Sequence, residues 1–503
     1  MRASSVAILA ALSYLLLTLV IGLWAFRRTR NARDFFIAGQ RPGLIVTGLA
    51  AMSASFSGFV FIGGPGLTYR IGIASLFINL PVSLTGGLMC WVLAKRLRLL
   101  SEVREVFTIP DAIACRFDSR CASGLAAMAV LVGTLGYLGS QMLALGRLLE
   151  VFMGTRGRFG EWSLLIAVGG GLLVVLFYSV AGGMVAGVYT DLFQGSLMLL
   201  AATAVFYRAL EVSGGWRGIT AALSQSDSFG KAFLEPFGVV PVFTAMGFFF
   251  VFSIGTLGQP HVLHKFYMLR DAKQLRWMPL VIAGSQTLCV LIWLGIGLAV
   301  PALVSRGQLA PLQQPDDAAP LFLLHFTPEL LAGLAFAGIL AAIMSTADSF
   351  LNIGSAALVR DLPRALGRPL HDELLWGRVA VVAVAGGSAT LAYYYDDLIA
   401  LLGTFAFGTF GAALAPTLAL GLNWRRVTAK AASASIVTGL GVNLGVEFLS
   451  SSPWLNRPFL AAGVLPAAVA LAASFTVLFL VSWWDGGGER PGLPPDLEAV
   501  LEA

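Results

Sequence analysis

The stretch that decides the fold is LIVTGLAAMSASFSGFVFIGGPGLT, residues 44–68. It holds no charged residue, and its 25 residues exceed the roughly 20 that an apolar helix needs to cross a membrane. Two sets of helix-weakening residues interrupt it, Ser53–Gly58 and Gly63–Gly66. A helix break inside a bilayer is costly unless protein groups, ions or water satisfy the freed backbone groups. The stretch therefore predicts a broken membrane helix with exposed backbone groups.

A second interruption lies in a later apolar run, at Gly255-Thr256-Leu257-Gly258-Gln259-Pro260-His261. The two interrupted runs stand five spans apart in the chain. Paired breaks of this kind are typical of inverted-repeat transporters, which bind substrate and coupling ions at the unwound segments. Two ordinary kinked helices are the alternative interpretation of the same residues.

The composition of the whole chain is that of a membrane protein. Of the 503 residues 57% are hydrophobic and 12% are charged, against about 45–50% and about 25% in soluble domains. The mean hydropathy is +0.82. A net charge of +6 fits basic cytoplasmic loops and is not a nucleic-acid footprint. Soluble enzymes and nucleic-acid-binding proteins are thereby excluded.

Thirteen apolar runs are candidate transmembrane helices, with approximate bounds 4–26, 44–68, 72–94, 122–146, 162–181, 188–210, 237–262, 278–302, 329–353, 378–395, 398–422, 431–450 and 458–483. If the N-terminus lies outside, 23 of the 33 Lys and Arg residues fall on the inner side, as the positive-inside rule favours. The odd number of spans then places the C-terminus inside. We expect one multi-pass domain over residues 1–483 in the inner (plasma) membrane, followed by a disordered cytoplasmic tail over 484–503.

A stripe of small and hydroxylated residues marks the ninth span. Ala342, Ser345, Thr346 and Ser349 share one helix face by their spacing. Such a stripe commonly allows two helices to pack closely. Its oxygens also suit a Na⁺ ion, because hard cations prefer oxygen ligands. The broken second span, which would expose the carbonyls of Ser53 and Phe56, shifts the interpretation towards ion binding.

Carboxylates within the predicted spans are few, and among them are Asp191, early in the sixth span, and Asp348, late in the ninth. An isolated aspartate at the bilayer centre costs at least about 2.5–3.5 kcal/mol, so a functional partner is the default expectation. A cation or a proton would serve as that partner. The alternative is a wetted helix end for one or both residues.

His261 and His264 stand three residues apart, but no third ligand near them indicates a metal site. We interpret them as markers of the inner membrane interface. No Ser/His/Asp set, Cys/His pair or zinc-ligand spacing predicts an enzyme, and we expect no cofactor apart from Na⁺ as a coupling ion.

Seven motifs stand in order along the chain. They are Asp34-Phe-Phe-Ile-Ala-Gly39; Ser55-Phe-Ser57-Gly58 through Pro65-Gly66; Thr108-Ile-Pro110-Asp111; Gly182-Gly183 with Tyr189-Thr190-Asp191 and Gln194; Gly258-Gln259-Pro260-His261; Ala342 to Ser349; and Phe410-Gly411-Ala-Ala-Leu-Ala-Pro416. With this order and spacing the sequence resembles the sodium:solute symporter family, whose relatives carry proline, pantothenate, monocarboxylates, sialic acid or sugars. The resemblance implies an all-α integral membrane fold with a LeuT-type core of two inverted five-helix repeats, about 44–210 and 237–422.

The resemblance also implies a first Na⁺ site between the first and eighth core helices. By position, its ligands would be the carbonyls of Ser53, Phe56 and Ala342 and the hydroxyls of Ser345 and Thr346. This set agrees with the stripe described above.

Some relatives hold a second Na⁺ near an aspartate that matches Asp191. Ser345 and Ser349 would be its neighbours here, and Asp348 stands where some relatives have a hydroxyl. We therefore expect a possible second cation or proton site at Asp191, Asp348 and Ser349.

The expected substrate pocket departs from that of the family's proline carriers. Those carriers have a tryptophan, a tyrosine and an aspartate where this chain has Phe252, Thr256 and Ser55, which argues against proline as the substrate. A carboxylate would meet the hydroxyls of Ser55 and Ser57 and the free amides around Gly58, at the N-terminus of a half-helix. An apolar wall would come from Phe59, Phe252 and Phe405. The alternative is that these three aromatic residues face lipid or the core.

From these residues we expect a Na⁺-coupled symporter that imports a small, carboxylate-bearing organic solute by alternating access. Its partners would be the solute, Na⁺ and the lipid bilayer, with no nucleic acid. Two alternatives stay open: a proton-coupled carrier that uses Asp191 and Asp348, and a transporter-like sensor without net flux.

Overall fold

The structure is a computed structural model of the chain. It describes residues 5–26, 40–104, 106–155, 159–395, 397–450, 463–485 and 494–502. The Asp34–Gly39 motif lies outside these described residues.

The described chain is helical throughout, as expected. In chain order its α-helices are α1 Ser5–Phe26, α2 Leu44–Ser55, α3 Gly64–Ile71, α4 Val82–Met89, α5 Lys95–Val103, α6 Ile109–Phe117, α7 Arg120–Met153, α8 Ser163–Ser213, α9 Gly215–Ser224, α10 Val242–Ile254, α11 Pro260–Tyr267, α12 Met278–Ser305, α13 Ala318–Phe326, α14 Glu329–Ala356, α15 Leu362–Ala365, α16 Glu373–Tyr394, α17 Ile399–Ala419, α18 Ala429–Ser450, α19 Pro466–Asp485 and α20 Pro495–Glu502. Short π- and 3₁₀-helical turns join several of them.

Eleven helical segments among the described residues are long and apolar enough to cross a membrane, against thirteen expected spans. Two places account for the difference. The break leaves α2 only 12 residues long, and the single counted segment that follows it, Phe59–Val103, covers α3, the turn at residues 79–81, α4 and α5. The expected spans 162–181 and 188–210 both lie in α8, a single helix of 51 residues. No proline interrupts residues 163–213, so no residue there removes a helical hydrogen bond.

Burial separates a central bundle from peripheral helices. In the most apolar windows of α14 and α17, 83% of the residues are buried inside the protein. The corresponding share is 28% for α1 and α18 and 33% for α19. The peripheral helices expose large apolar side chains, including Leu9 and Trp484, which suits contact with lipid. The windows of α8 and α16 share the 33% value, so these two helices also lie at the periphery of the bundle.

Both predicted helix breaks are confirmed. Helix α2 ends at Ser55, Phe56 adopts an extended conformation (φ −106°, ψ 116°), and a π-helical turn begins at Phe59. The second break consists of the 3₁₀ turn Gly255–Gly258 and the extended Gln259, after which α11 begins at Pro260. Protein groups satisfy part of the freed backbone at each break, as a membrane interior requires.

The C-terminal tail differs from the expectation of disorder. Residues Pro495–Glu502 form α20, which packs against α5 and buries Leu497 and Val500. Arg104 pairs with Asp496 at 2.7 Å, and Arg425 pairs with Glu498 at 3.0 Å. Composition alone missed this helix because its two buried apolar residues, 497 and 500, are spaced to form one narrow face. Residues 486–493 and 503 of the predicted tail lie outside the described residues.

Candidate functional site

Hydroxyl groups of α14 meet carbonyl groups of the first helix break. The Ser345 hydroxyl lies 3.0 Å from the Ser53 carbonyl oxygen and 3.1 Å from the Ala342 carbonyl oxygen. The Thr346 hydroxyl lies 3.3 Å from the Ala54 carbonyl oxygen. Ser53, Ser345 and Thr346 are all fully buried. Five neutral oxygen groups from two helices thus meet in a dry environment, where a hard monovalent cation finds the ligands it prefers.

Phe56 was expected to offer its carbonyl to the same site. In a continued helix this carbonyl would accept a hydrogen bond from the amide of Val60. Here the amides of Val60 and Phe61 both donate to the Ser57 carbonyl, at 2.9 and 3.1 Å. The break therefore takes the Phe56 carbonyl out of the helical hydrogen-bond pattern, which is the condition for a carbonyl to bind an ion inside a membrane.

The predicted second site has a different partner. Asp191 Oδ2 lies 2.8 Å from the Nζ atom of Lys265, and the two side chains are 1% and 0% exposed. Asp348 and Ser349 are also buried, one helical turn after the hydroxyl pair of α14. The sequence interpretation placed a cation or proton at Asp191, whereas the structure places a lysine ammonium there.

A cavity of about 60 Å³ lies between the two breaks. Ser55, Phe59, Phe252 and Thr256, four of the seven predicted substrate residues, line it. The Phe59 and Phe252 rings stack at 5.5 Å between centroids, and Phe252 stacks on Phe407 at 4.4 Å. The predicted aromatic wall is thus present, with Phe407 as its third member.

Phe405 does not line this cavity. Positions 405 and 407 are two residues apart on α17, and a helix turns about 100° per residue, so the two side chains point about 200° apart. The Phe405 ring instead approaches Gly136 on α7. The prediction chose the correct helix, α17, but the wrong side of it, so Phe405 was named where Phe407 lines the cavity.

Ser57 and Gly58 do not line the cavity either. The Gly58 amide donates to Gln141 Oε1 at 2.9 Å, and the Phe59 amide donates to the Ser57 hydroxyl at 3.2 Å. The Ser57 hydroxyl also lies 3.3 Å from the Tyr137 hydroxyl. The half-helix amides that were expected to receive a carboxylate therefore have partners within the protein.

Further polar residues line the cavity and were missed in the sequence: Asn79, Thr85, Tyr137, Gln259, His261 and Gln286. Three of these have a buried polar atom with no hydrogen-bond partner among the described residues, namely Asn79 Nδ2, Gln259 Oε1 and His261 Nδ1. Buried polar atoms are normally paired, so unpaired atoms around a cavity indicate a polar ligand. The Gln259-Pro260-His261 motif at the second break was the available signal.

His261 was expected at the inner membrane interface, and this expectation is wrong. Its ring is buried, 4.2 Å from the Phe350 ring and 5.7 Å from the Tyr137 ring between centroids. The break turns the chain at Gln259, which carries the next residues into the bundle and not to its surface.

Phe407 and Phe405 provide a matched test of the cavity wall. We expect Phe407→Ala to raise the KM for uptake at least about tenfold, because it removes a stacked ring from the cavity wall. Phe405→Ala removes the same side chain from the same helix and should change the KM less than threefold. Radiolabelled solute uptake by the two variants in proteoliposomes measures the difference, and equal KM values would contradict this assignment of the wall.

Asp316 connects the helical turn at residues 315–317 to α3 and α17. Its Oδ2 atom accepts a hydrogen bond of 2.9 Å from the Ile399 amide at the start of α17. A Cβ atom on Gly66 of α3 would lie 2.4 Å from Asp316 Oδ1, so only glycine allows this approach. Arg70 of α3 also pairs with Asp397 at 2.8 Å. These contacts fasten α3 to the N-terminal end of α17.

The stability of the folded protein should rise as the pH falls. Burial raises the pKa of the Asp316 carboxyl to about 7, although the Ile399 amide and Arg147 favour its charged form and Asp317 and Asp397 oppose it. Because the folded protein then holds a proton that the unfolded chain has lost, stability rises as the pH falls from about 8 to 5. We expect the melting temperature to rise by a few degrees over this range. Asp316→Asn should remove the rise, and an unchanged pH profile in that variant would contradict the role of Asp316.

The chain is similar in sequence to several known transport proteins. The family model described as "Sodium:solute symporter family" matches residues 35–439. The osmoregulated proline transporter OpuE of Bacillus subtilis is 28% identical over 440 residues, which cover 85% of each chain. The sodium/proline symporter of Salmonella typhimurium is 28% identical over 445 residues, covering 85% of this chain and 84% of its own. That of Staphylococcus aureus JH9 is 27% identical over 497 residues, covering 93% and 91%.

Solved structures show a similar fold. A Na⁺-coupled sialic acid symporter in a substrate-bound outward-open state superposes with a TM-score of 0.76 at 17% identity, covering 97% of this chain and all of its own. MhsT in complex with L-phenylalanine superposes with a TM-score of 0.52 at 16% identity, covering 86% and 98%. These similarities confirm an all-helical, LeuT-like fold. The number of spans and the orientation of the termini stay predictions.

Proposed function

This chain belongs to the sodium:solute symporter family, and we propose that it is a Na⁺-coupled symporter that imports a small organic solute by alternating access. The family is one of multi-pass membrane transporters, and we place this member in the plasma membrane. The inward Na⁺ gradient and the membrane potential supply the work, with about 2.3 kcal/mol per charge for each 100 mV. No chemical reaction is part of the proposal.

One observation carries it: the Ser345 hydroxyl lies 3.0 Å from the carbonyl of Ser53, two residues before Ser55 of the cavity wall. The proposed ion site and the proposed solute site therefore share one short segment, residues 53–56. An ion that holds this segment against α14 also fixes the wall that the solute contacts. Each ligand then increases the affinity for the other, which is the coupling that a symporter needs.

We propose that the solute carries a carboxylate and an N–H or O–H donor. None of the described residues that line the cavity is Asp, Glu, Lys or Arg. A zwitterion, or an anion balanced by Na⁺, would keep the occupied site neutral, as a low-dielectric environment favours. Gln259 Oε1 would accept from the donor, and Asn79 Nδ2 would donate to the carboxylate.

We propose that proline is not the preferred solute, because Phe252, Thr256 and Ser55 stand where the family's proline carriers have other residues, although several curated relatives are named as proline transporters. Phe252 is stacked between Phe59 and Phe407, and the Thr256 hydroxyl lies 3.6 Å from the Met89 sulfur. We expect a binding screen of amino acids and small carboxylic acids by thermal shift to rank another solute above proline. If proline ranks first, this part of the proposal is wrong.

Uptake into proteoliposomes tests the function. Solutes that shift the melting temperature in Na⁺ but not in K⁺ are taken as radiolabelled substrates. We expect accumulation under an inward Na⁺ gradient and none under an inward proton gradient of equal size with K⁺ on both sides. Accumulation that follows the proton gradient and ignores Na⁺ would overturn the ion assignment. Na⁺-dependent binding without any uptake would favour a sensor.

A further inference from the structure

Lys265 and Asp191 form an ion pair in the interior of the protein. Lys265 is on α11, directly after the second helix break, and Asp191 is on α8. The Nζ–Oδ2 distance is 2.8 Å, and neither side chain is more than 1% exposed. Helices α8 and α11 both pack against α2, the half-helix that leads to the first break. The pair is therefore close to the proposed transport pathway and not at a wetted surface.

Asp191 is the residue at which the sequence predicts a second cation. A buried carboxylate needs a positive partner, and in this protein an amino group of the chain itself provides that partner. A Na⁺ ion on the same carboxylate would stand beside the lysine ammonium, and two like charges at such short distance repel each other strongly in a low-dielectric interior. Asp191 Oδ1 has no hydrogen-bond partner among the described residues, but the charge of the carboxylate is already balanced.

We propose that the Lys265 ammonium replaces a second Na⁺ at Asp191, so that the protein binds one Na⁺ ion, at Ser345 and Thr346. This inference rests on the proposed function for the first site only. Lys265 is a positioning residue, because its ammonium pairs with Asp191 and so joins α11 to α8. It holds α11 to α8 as a second ion would. Because its charge belongs to the protein and is not carried across the membrane with the solute, it adds nothing to the driving force for uptake.

Binding of ²²Na⁺ to the purified full-length protein tests the inference without any solute. We expect one ion per wild-type protein. Lys265→Ala removes the ammonium and leaves room beside Asp191, so this variant should bind two ions. The double variant Lys265→Ala/Asp191→Asn removes both charges and should return to one. Lys265→Arg keeps a fixed positive charge and should also bind one.

The outcomes separate this inference from the proposed function. A wild-type protein that binds no Na⁺ overturns the proposed function, and this inference with it. A wild-type protein that binds two Na⁺ ions overturns only the role of Lys265, and this result needs no variant to fold. One ion in folded Lys265→Ala likewise overturns it. If Lys265→Ala does not fold, the number of Na⁺ ions bound by the wild-type protein decides. Two ions bound by Lys265→Ala/Asp191→Asn would also contradict the inference.

Discussion

Replacing both Ser345 and Thr346 with alanine is expected to lower Na⁺-driven uptake at limiting Na⁺ by at least about 100-fold. The two hydroxyls are the side-chain oxygens that α14 directs at the carbonyls of Ser53 and Ala54, at 3.0 and 3.3 Å. A contact to a charged group contributes about 1.5–3 kcal/mol, so the loss of two costs about 3–6 kcal/mol of Na⁺ binding energy. Every 1.4 kcal/mol corresponds to about a factor of ten in affinity.

The concentration of Na⁺ that gives half-maximal uptake measures this effect. Ser355→Ala is the matched control, because Ser355 is equally buried on the same helix and, among the described residues, its hydroxyl donates to the Asn352 carbonyl one turn earlier and to no other group. It should leave the Na⁺ dependence within about twofold. Normal Na⁺ activation in the Ser345→Ala/Thr346→Ala variant would contradict the assignment of this oxygen cluster as the Na⁺ site. Circular dichroism and thermal melting confirm that each variant is folded.

The sequence was sufficient for those features of the site that follow from neighbouring residues. Serine and glycine residues near position 56 and the Gly-Gln-Pro sequence near 259 weaken a helix wherever it is placed, and both breaks are present. Helical spacing alone aligns Ser345 with Ala342 and Thr346. Phe252 and Thr256, one turn apart, share a face for the same reason, and both line the cavity.

Features that depend on distant partners were not predictable from such patterns. Lys265 follows a helix break and precedes a basic loop, so it was counted among the residues of the inner surface, yet it meets a carboxylate 74 residues away. The amide of Gly58 was expected to be free until the structure placed Gln141 beside it. Phe407 lines the cavity where Phe405 was expected, because packing against other helices sets the rotation of α17 about its axis. No local sequence pattern specifies that rotation.

Gln259→Leu is expected to lower uptake at limiting solute by at least about 30-fold, through two separate losses. Gln259 Nε2 donates hydrogen bonds of 3.0 Å to the carbonyls of Gly255 and Phe407, so it joins the second break to the cavity wall on α17. Leucine cannot make these two hydrogen bonds, which contribute about 0.5–1.5 kcal/mol each. Leucine also removes Oε1, the acceptor proposed for the donor group of the solute.

A double comparison separates these two losses. For the solute identified by the screen, a fully N-methylated (or O-methylated) analogue lacks the donor and should bind wild-type protein at least about tenfold more weakly. In Gln259→Leu the same methylation should cost little more, because the acceptor is already gone, and such non-additivity marks a direct contact. Gln286→Leu serves as the comparison variant. It lines the same cavity, but its Oε1 accepts from Thr85 at 3.3 Å, so methylation of the solute should cost as much in this variant as in wild type. If the effects of methylation and of Gln259→Leu simply add, Gln259 positions the wall through its amide nitrogen and does not contact the solute.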